Sequence, residues 1–128
     1  MMQGFNCSFK GLANRIFLQH VGIFPKATIE TQMEKLSEEI YELSKASTVK
    51  DIEEEHGDVL YVIISLFRFP SIYELASYLL FRFYDSEPPK KKAKLRKILA
   101  KTADKVEARH NKGAYYWNGS KYERNKTL

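Results

Sequence analysis

A chain of 128 residues holds one compact domain and is too short for two. With 44% hydrophobic and 29% charged residues it can fill a core, and its one cysteine, Cys7, excludes an intrachain disulfide and with it a disulfide-stapled secreted scaffold. The net charge of +5 is unevenly spread: residues 1–85 carry 8 Lys+Arg against 12 Asp+Glu, net −4, whereas residues 86–128 carry 13 against 4, net +9.

Apolar spacing is helical nearly throughout, with no period-two run bounded by turn pairs, so an all-α fold is expected. A first helix is predicted over 8–21, ending near Gly22 with Pro25 just beyond. Thr28 is placed to cap a second helix over 29–46, and Ser47-Thr48 separates it from a third over 49–69. Pro70-Ser71 makes the next boundary, with Ser71 and Glu74 in capping-box spacing ahead of a fourth helix over 72–84. That helix is rich in aromatics (Tyr73, Tyr78, Phe81, Phe83 and Tyr84), a face that suits a core or a subunit interface better than base stacking. Residues 85–89 form a linker, Pro89 opens a fifth helix reaching about His110, and 111–128 form a loop or a short hairpin around Asn118-Gly119.

The longest apolar run, 59–67, is broken by Ser65 and falls well short of the roughly 20 residues a membrane span needs. The first twenty residues lack a basic start followed by an apolar block, so no signal peptide is expected. The expectation is a soluble, cytoplasmic protein with no membrane partner.

Ten of the sixteen acids lie between Glu30 and Asp58. At 100° per residue, Met33, Leu36, Ile40 and Leu43 form the apolar seam of the second helix, and Gln32, Lys35, Glu39 and Glu42 form a ridge along its edge. Glu34 and Glu38 fall on a more exposed face. On the third helix the seam is Ile52, Val59, Ile63 and Leu66, with Glu55 and Asp58 at its border and Gly57 leaving room for a close approach. If the two helices form an antiparallel hairpin, both i,i+3 acid pairs converge on one pocket. Carboxylates crowded in this way repel unless something positive neutralises them. Oxygen-only donors suit a hard cation, Mg²⁺ or Mn²⁺, whereas a solvated surface laced with Lys and Arg pairs accounts for them without any ligand.

Glu38-Glu39-Ile40-Tyr41-Glu42, followed after twelve residues by Glu55-His56-Gly57-Asp58, has the form E-E-x-x-E … E-x-x-D. With Lys35 to Leu43 and Glu54 to Leu60 around it, this stretch resembles the MazG-like all-α nucleoside triphosphate pyrophosphohydrolases. The lead-in Gly22-Ile23-Phe24, Lys26-Ala27-Thr28, Gln32 and Lys35 is similar to the short single-domain members, phage-encoded ones included. The likeness is strongest over residues 19–67, with a weaker echo from Arg109 through Gly113, Asn118-Gly119 and Tyr122.

The resemblance implies a helical bundle built on that antiparallel hairpin, a homodimer or homotetramer, and Mg²⁺ (or Mn²⁺) held by Glu39, Glu42, Glu55 and Asp58. It implies cleavage of a nucleoside triphosphate between the α and β phosphates to give monophosphate and pyrophosphate. Glu38 matches the first acid of the motif and is assigned an accessory catalytic role, behind the ligands or as the base for water. Gln32 and Lys35, on the Glu39 ridge, are assigned to substrate. Lys101, Lys105 and Arg109, at i, i+4 and i+8 on the fifth helix, are placed to clamp phosphate oxygens as the family's late-helix basic residues do. Between Tyr84 and Lys101 the chain departs from the short members, with prolines and the lysines 90–92 intervening.

The remaining candidates carry less. His56 is expected to be a packed, hydrogen-bonded histidine, His20 and His110 lack metal-ligand spacing, Cys7 has no base beside it, and Trp117 is expected to pack. A basic helical module binding nucleic acid accounts for residues 90–109 but leaves both acid motifs unexplained, so nucleic acid is not the expected partner. A nucleotide sensor that keeps the metal site is a further alternative.

Overall fold

The computed structural model describes residues 8–128; Cys7 lies outside them. Among the described residues the order is α1 (Phe9–Ile23), α2 (Ile29–Lys45), α3 (Val49–Ser65), α4 (Tyr73–Leu80), α5 (Pro89–Asn111) and a two-stranded hairpin, β1 (Tyr115–Trp117) and β2 (Tyr122–Arg124). The fold is mostly helical, as the periodicity requires.

Local chemistry explains the starts of the first three helices. Ser8 and Thr48 cap α1 and α3 by accepting from Gly11 and Asp51 N–H. Thr28 accepts from Thr31 N–H at 3.1 Å while Thr31 Oγ1 accepts from Thr28 N–H at 3.0 Å, a reciprocal cap. Pro89 opens α5, where its missing N–H costs nothing.

α3 is the centre of the molecule and packs against α1, α2, α4 and α5. That placement explains its apolar run: Val59, Leu60, Tyr61, Val62, Ile63 and Ile64 are all buried, on every side of the helix rather than along one stripe. Each such side chain contributes about 1.5–3 kcal/mol of burial. No single helix among the described residues is long and apolar enough to cross a membrane.

Three boundaries differ from expectation. α3 stops at Ser65 instead of Phe69 and passes into a 3₁₀ turn, Leu66–Arg68. Ser65 Oγ donates to Val62 O at 2.6 Å and accepts from Gln32 Nε2 at 2.7 Å, so its hydroxyl competes with continued α-helix. Arg68 is drawn away to Phe24 O at 2.7 Å and Pro25 O at 3.3 Å. Ser71 does not cap α4; it lies in a 3₁₀ turn, Pro70–Ile72, and the N-cap is Ile72 with no side-chain bond. The short repeat set by Pro70 takes the place of the capping box. α4 ends as α-helix at Leu80, and a π-helical turn, Phe81–Asp85, continues it.

The seam of α2 and α3 is also barer than predicted. Leu36, Val59, Ile63 and Leu66 are buried, but Ile40 and Ile52 keep 36% and 42% of their surface exposed. The α4 aromatics split in the same way: Tyr84 is buried and Phe83 half-buried, whereas Tyr73, Tyr78 and Phe81 face outward.

The C-terminal hairpin turns at Asn118–Lys121, with Gly119 at φ +103° and Asn118 Oδ1 accepting from the N–H groups of Ser120 and Lys121. It docks on the α1–α2 loop. Phe24 meets Tyr115 and Tyr122 edge-on at 4.8 and 5.2 Å, and Tyr122 accepts from Lys26 N–H. Trp117 is packed, as expected, between Tyr122 at 5.0 Å and the Lys26 ammonium at 5.5 Å.

Candidate metal centre

Glu39 is carried by α2, and Glu55 and Asp58 lie one turn apart on α3. Helix packing brings these three half-buried acids together: one carboxylate oxygen from each lies within 4.8 Å of the others. Hard cations bind carboxylate oxygens at about 2.0–2.6 Å, so oxygens facing each other across one ion stand roughly 4–5 Å apart. The observed spread is compatible in size with a single ion's shell.

The electrostatics of the cluster are under-compensated. Lys105 Nζ donates to Asp58 Oδ1 at 3.1 Å, and Lys35 Nζ lies 3.5 Å from Glu39 Oε2. Glu55 has no ammonium of its own, and its Oε2 is withdrawn from solvent with no hydrogen-bond partner. Burial pushes the Glu55 carboxyl above its ordinary range, and Asp58, Glu39 and Glu42 push it further. Burial raises Glu39 as well, with Lys35 opposing and Asp58 adding to the shift. Glu42 is therefore close enough to act on Glu55, but it is exposed and stands at the rim outside the three-acid group. The three acids of the group face two ammoniums, a formal deficit of one positive charge, and Glu42 at the rim adds a further negative charge.

Gly57 allows a close approach, but the group that approaches is α5. A Cβ there would lie 2.7 Å from Ile98 Cγ2 and 2.8 Å from Thr102 Oγ1. That contact sets Lys105, one turn beyond Thr102, against Asp58.

The other predicted residues are dispersed. Glu38 is exposed and lies in the field of Lys121, whose ammonium pairs with Glu34 at 3.2 Å. Gln32 is buried, and its amide donates to Ser65, so it packs the far end of the α2–α3 contact. Lys101 is exposed and forms no ion pair with the described residues. Arg109 is half-buried and close enough to Tyr115 to lower the phenol's pKa, against a larger upward push from burial. His56 is packed as expected, with Nε2–H donating to Phe83 O at 2.7 Å.

Tyr115, which with Tyr116 and Trp117 is expected from sequence to pack rather than stack on a base, is half-buried against Phe24 and lies within the field of Asp58 and Arg109, a placement beside the acids that sequence reasoning did not make. Gly113, at φ +72°, ends α5 and turns the chain back toward the helices, and this is the one local signal that could have placed it.

Searches with family models, against curated proteins and against solved structures found no match to this chain.

Proposed function

We propose that the protein is a Mg²⁺-dependent (Mn²⁺-competent) nucleoside triphosphate pyrophosphohydrolase of the MazG-like kind. The observation that carries this reading is the meeting of Glu39, Glu55 and Asp58, one carboxylate oxygen of each within 4.8 Å of the others, with Glu55 Oε2 buried and unpartnered. The antiparallel hairpin belongs to the same reading. Gln32 meets Ser65 while Glu39 meets Asp58 and Glu55, so rising positions on α2 pair with falling positions on α3.

In this assignment Glu39, Glu55 and Asp58 would hold the ion, with Glu42 adding negative charge from the rim. An ion bound there would neutralise triphosphate charge and lower the pKa of an attacking water. Water attacks one of the two phosphorus atoms that flank the α–β bridging oxygen, the bond from that phosphorus to the bridging oxygen breaks, the bridging oxygen leaves on the other product, and the water's proton passes to solvent, giving monophosphate and pyrophosphate. Lys105 and Lys35 are counterions of the acids until the ion arrives. With the acids neutralised, the Lys35 ammonium on α2 and the Lys105 ammonium on α5 would be free to pair with phosphate oxygens, while Lys101 and Arg109 lie one turn to either side of Lys105. Glu38, exposed and outside the acid group, is not needed as the base.

The test is a panel of ribo- and deoxyribonucleoside triphosphates incubated with Mg²⁺ or with EDTA, with products separated by chromatography. Monophosphate and pyrophosphate, lost in EDTA and in Glu39→Gln, are the expected result. Diphosphate and phosphate would mean a different anhydride bond is cut. No product, with nucleotide still bound, would replace the enzyme reading with a nucleotide sensor.

A further inference from the structure

α5 carries a row of like charges that its own neighbours only partly answer. Within an arc of about 80° along this helix, every residue except Ala108 is a lysine: Lys90, Lys94, Lys97, Lys101 and Lys105. The first four are exposed and Lys105 is half-buried. Successive members stand three or four positions apart, the spacing at which like charges on a helix repel. The row also begins in the first turn of α5, which holds no acid and has no side-chain cap, so the helix dipole opposes it there.

The acids that answer the row come from α3. Glu53 pairs with Lys94, and Asp58 accepts from Lys105 at 3.1 Å. Asp104, at the border of the arc, is taken by Arg15. Among the described residues Lys90, Lys97 and Lys101 form no ion pair. Repulsion repeated along a helix in this way costs stability, and a polyanion laid along the row offsets it.

In the sequence the basic segment and the acid motifs compete as explanations; in the fold the row ends on the acids, at Asp58. A triphosphate at the acid group engages the Lys105 end alone. Lys97 and Lys90 stand about 12 and 22 Å farther along the axis, beyond the reach of that group. Beside Lys90, Lys91 and Lys94 a groove of about 460 Å³ opens between α3 and α5, with Ile52, Leu95 and Ile98 also in its walls. Ammoniums next to an apolar wall suit the phosphate and the base of a further nucleotide.

We propose that the lysine row is a track for the backbone of single-stranded RNA, and that the acid site acts on the 5′-triphosphate end of such a strand. A row one lysine wide follows one backbone, whereas a duplex presents two. RNA chains begin from an intact nucleoside triphosphate, so their first nucleotide carries the anhydride that the acid site would cleave. Water and the strand give pyrophosphate and a strand ending in 5′-monophosphate. The α–β bridge breaks, the bridging oxygen leaves on one product, and the water's proton passes to solvent. The inference rests on the pyrophosphohydrolase reading for its reaction and on the lysine row alone for its binding.

The experiment has two arms, both on the full chain. Fluorescence anisotropy in EDTA follows binding of an unstructured RNA of about 16 nucleotides with a 5′-hydroxyl end. Pyrophosphate release in Mg²⁺ compares the same strand bearing a 5′-triphosphate with the free nucleoside triphosphate of its first base. The wild type is expected to bind the strand with an affinity that falls steeply with salt. It should turn over the triphosphate strand with a kcat/KM at least about tenfold above that of the free nucleotide. Lys90→Glu/Lys97→Glu should weaken strand binding about tenfold or more and cancel that preference, with free-nucleotide turnover unchanged. Both changes relieve repulsion within α5, and circular dichroism checks that the variant is folded. If free nucleotide is hydrolysed but the strand does not bind at low salt, or is turned over no better, the proposal is overturned and the pyrophosphohydrolase reading stands. Equal losses for both substrates in the double variant overturn it too. Strand binding that the double variant loses, with no pyrophosphate from either substrate, would contradict the enzyme reading and with it the 5′ end as substrate.

Discussion

Gly57→Ala tests the contact that sets α5 over the acid group. The new Cβ would lie 2.7 Å from Ile98 Cγ2 and 2.8 Å from Thr102 Oγ1. Carbon atoms pack comfortably at about 3.5–4.0 Å, so the helices must part by about 1 Å or both side chains must leave their rotamers. Neither yields readily: each clashing atom sits on a β-branched carbon with a restricted χ1, and Thr102 Oγ1 also donates to Ile98 O at 3.1 Å. Overpacking of this kind costs about 1–3 kcal/mol, while replacing a helical glycine by alanine returns about 1. The expected net effect is a loss of roughly 1 kcal/mol, together with a looser contact of Lys105 on Asp58. Gly22→Ala is the matched control, because a Cβ there meets nothing within 4 Å and the position is exposed near the end of α1. It should gain about 0.4–1 kcal/mol. Urea unfolding of both variants, with unchanged m-values, measures the two signs. If Gly57→Ala is stabilised as much as Gly22→Ala, α5 does not close on α3 at this point and the geometry of the site is wrong.

Burial, with Arg68 adding, holds His20 down at about 3, so its folded value is depressed below the unfolded 6.5. Its contribution to stability is full above pH 6.5 and is lost as pH falls toward 3, at up to about 1.4 kcal/mol per unit. His20→Leu should flatten the dependence of unfolding free energy on pH between 6 and 4, whatever its offset. Glu55 and Glu39 have the opposite sign, since a raised carboxyl contributes stability present at low pH and lost as pH rises through its folded value. Glu55→Gln should therefore melt higher than wild type in EDTA at pH 7, yet forgo the roughly 2.7 kcal/mol a cation supplies at 100 times its dissociation constant. Lys105→Met removes the ammonium that competes for Asp58; cation affinity should rise in titration calorimetry while triphosphate affinity falls.

Helix positions followed from periodicity and caps because those signals are local. Thr28 and Pro89 act on their own first turns, and both predictions match the structure. Ser71 failed as a cap because Pro70 holds the preceding turn in 3₁₀ form, and the end of α3 was misplaced because Ser65 answers to Gln32, thirty-three residues away. The acid group shows the same division. Glu39, Glu55 and Asp58 were marked by their position at the seam edge, a property of one helix at a time. That Glu42 stays at the rim, that Gln32 serves packing, and that Gly57 admits α5 depend on how the helices meet, which spacing within a helix does not encode. Tyr115 reaches the site through the hairpin's docking on Phe24, a contact ninety residues apart in sequence with no periodic signature.

The most direct measurement is Mn²⁺ binding followed by electron paramagnetic resonance, with Mg²⁺ competition, in the wild type and in Asp58→Asn. One ion per chain, displaced by Mg²⁺ and weakened at least about tenfold in Asp58→Asn, is the predicted result, since one ligand charge is removed from a shared shell. Mn²⁺ that binds equally well to Asp58→Asn, or does not bind the wild type at all, would contradict the assignment of Glu39, Glu55 and Asp58 as a metal centre.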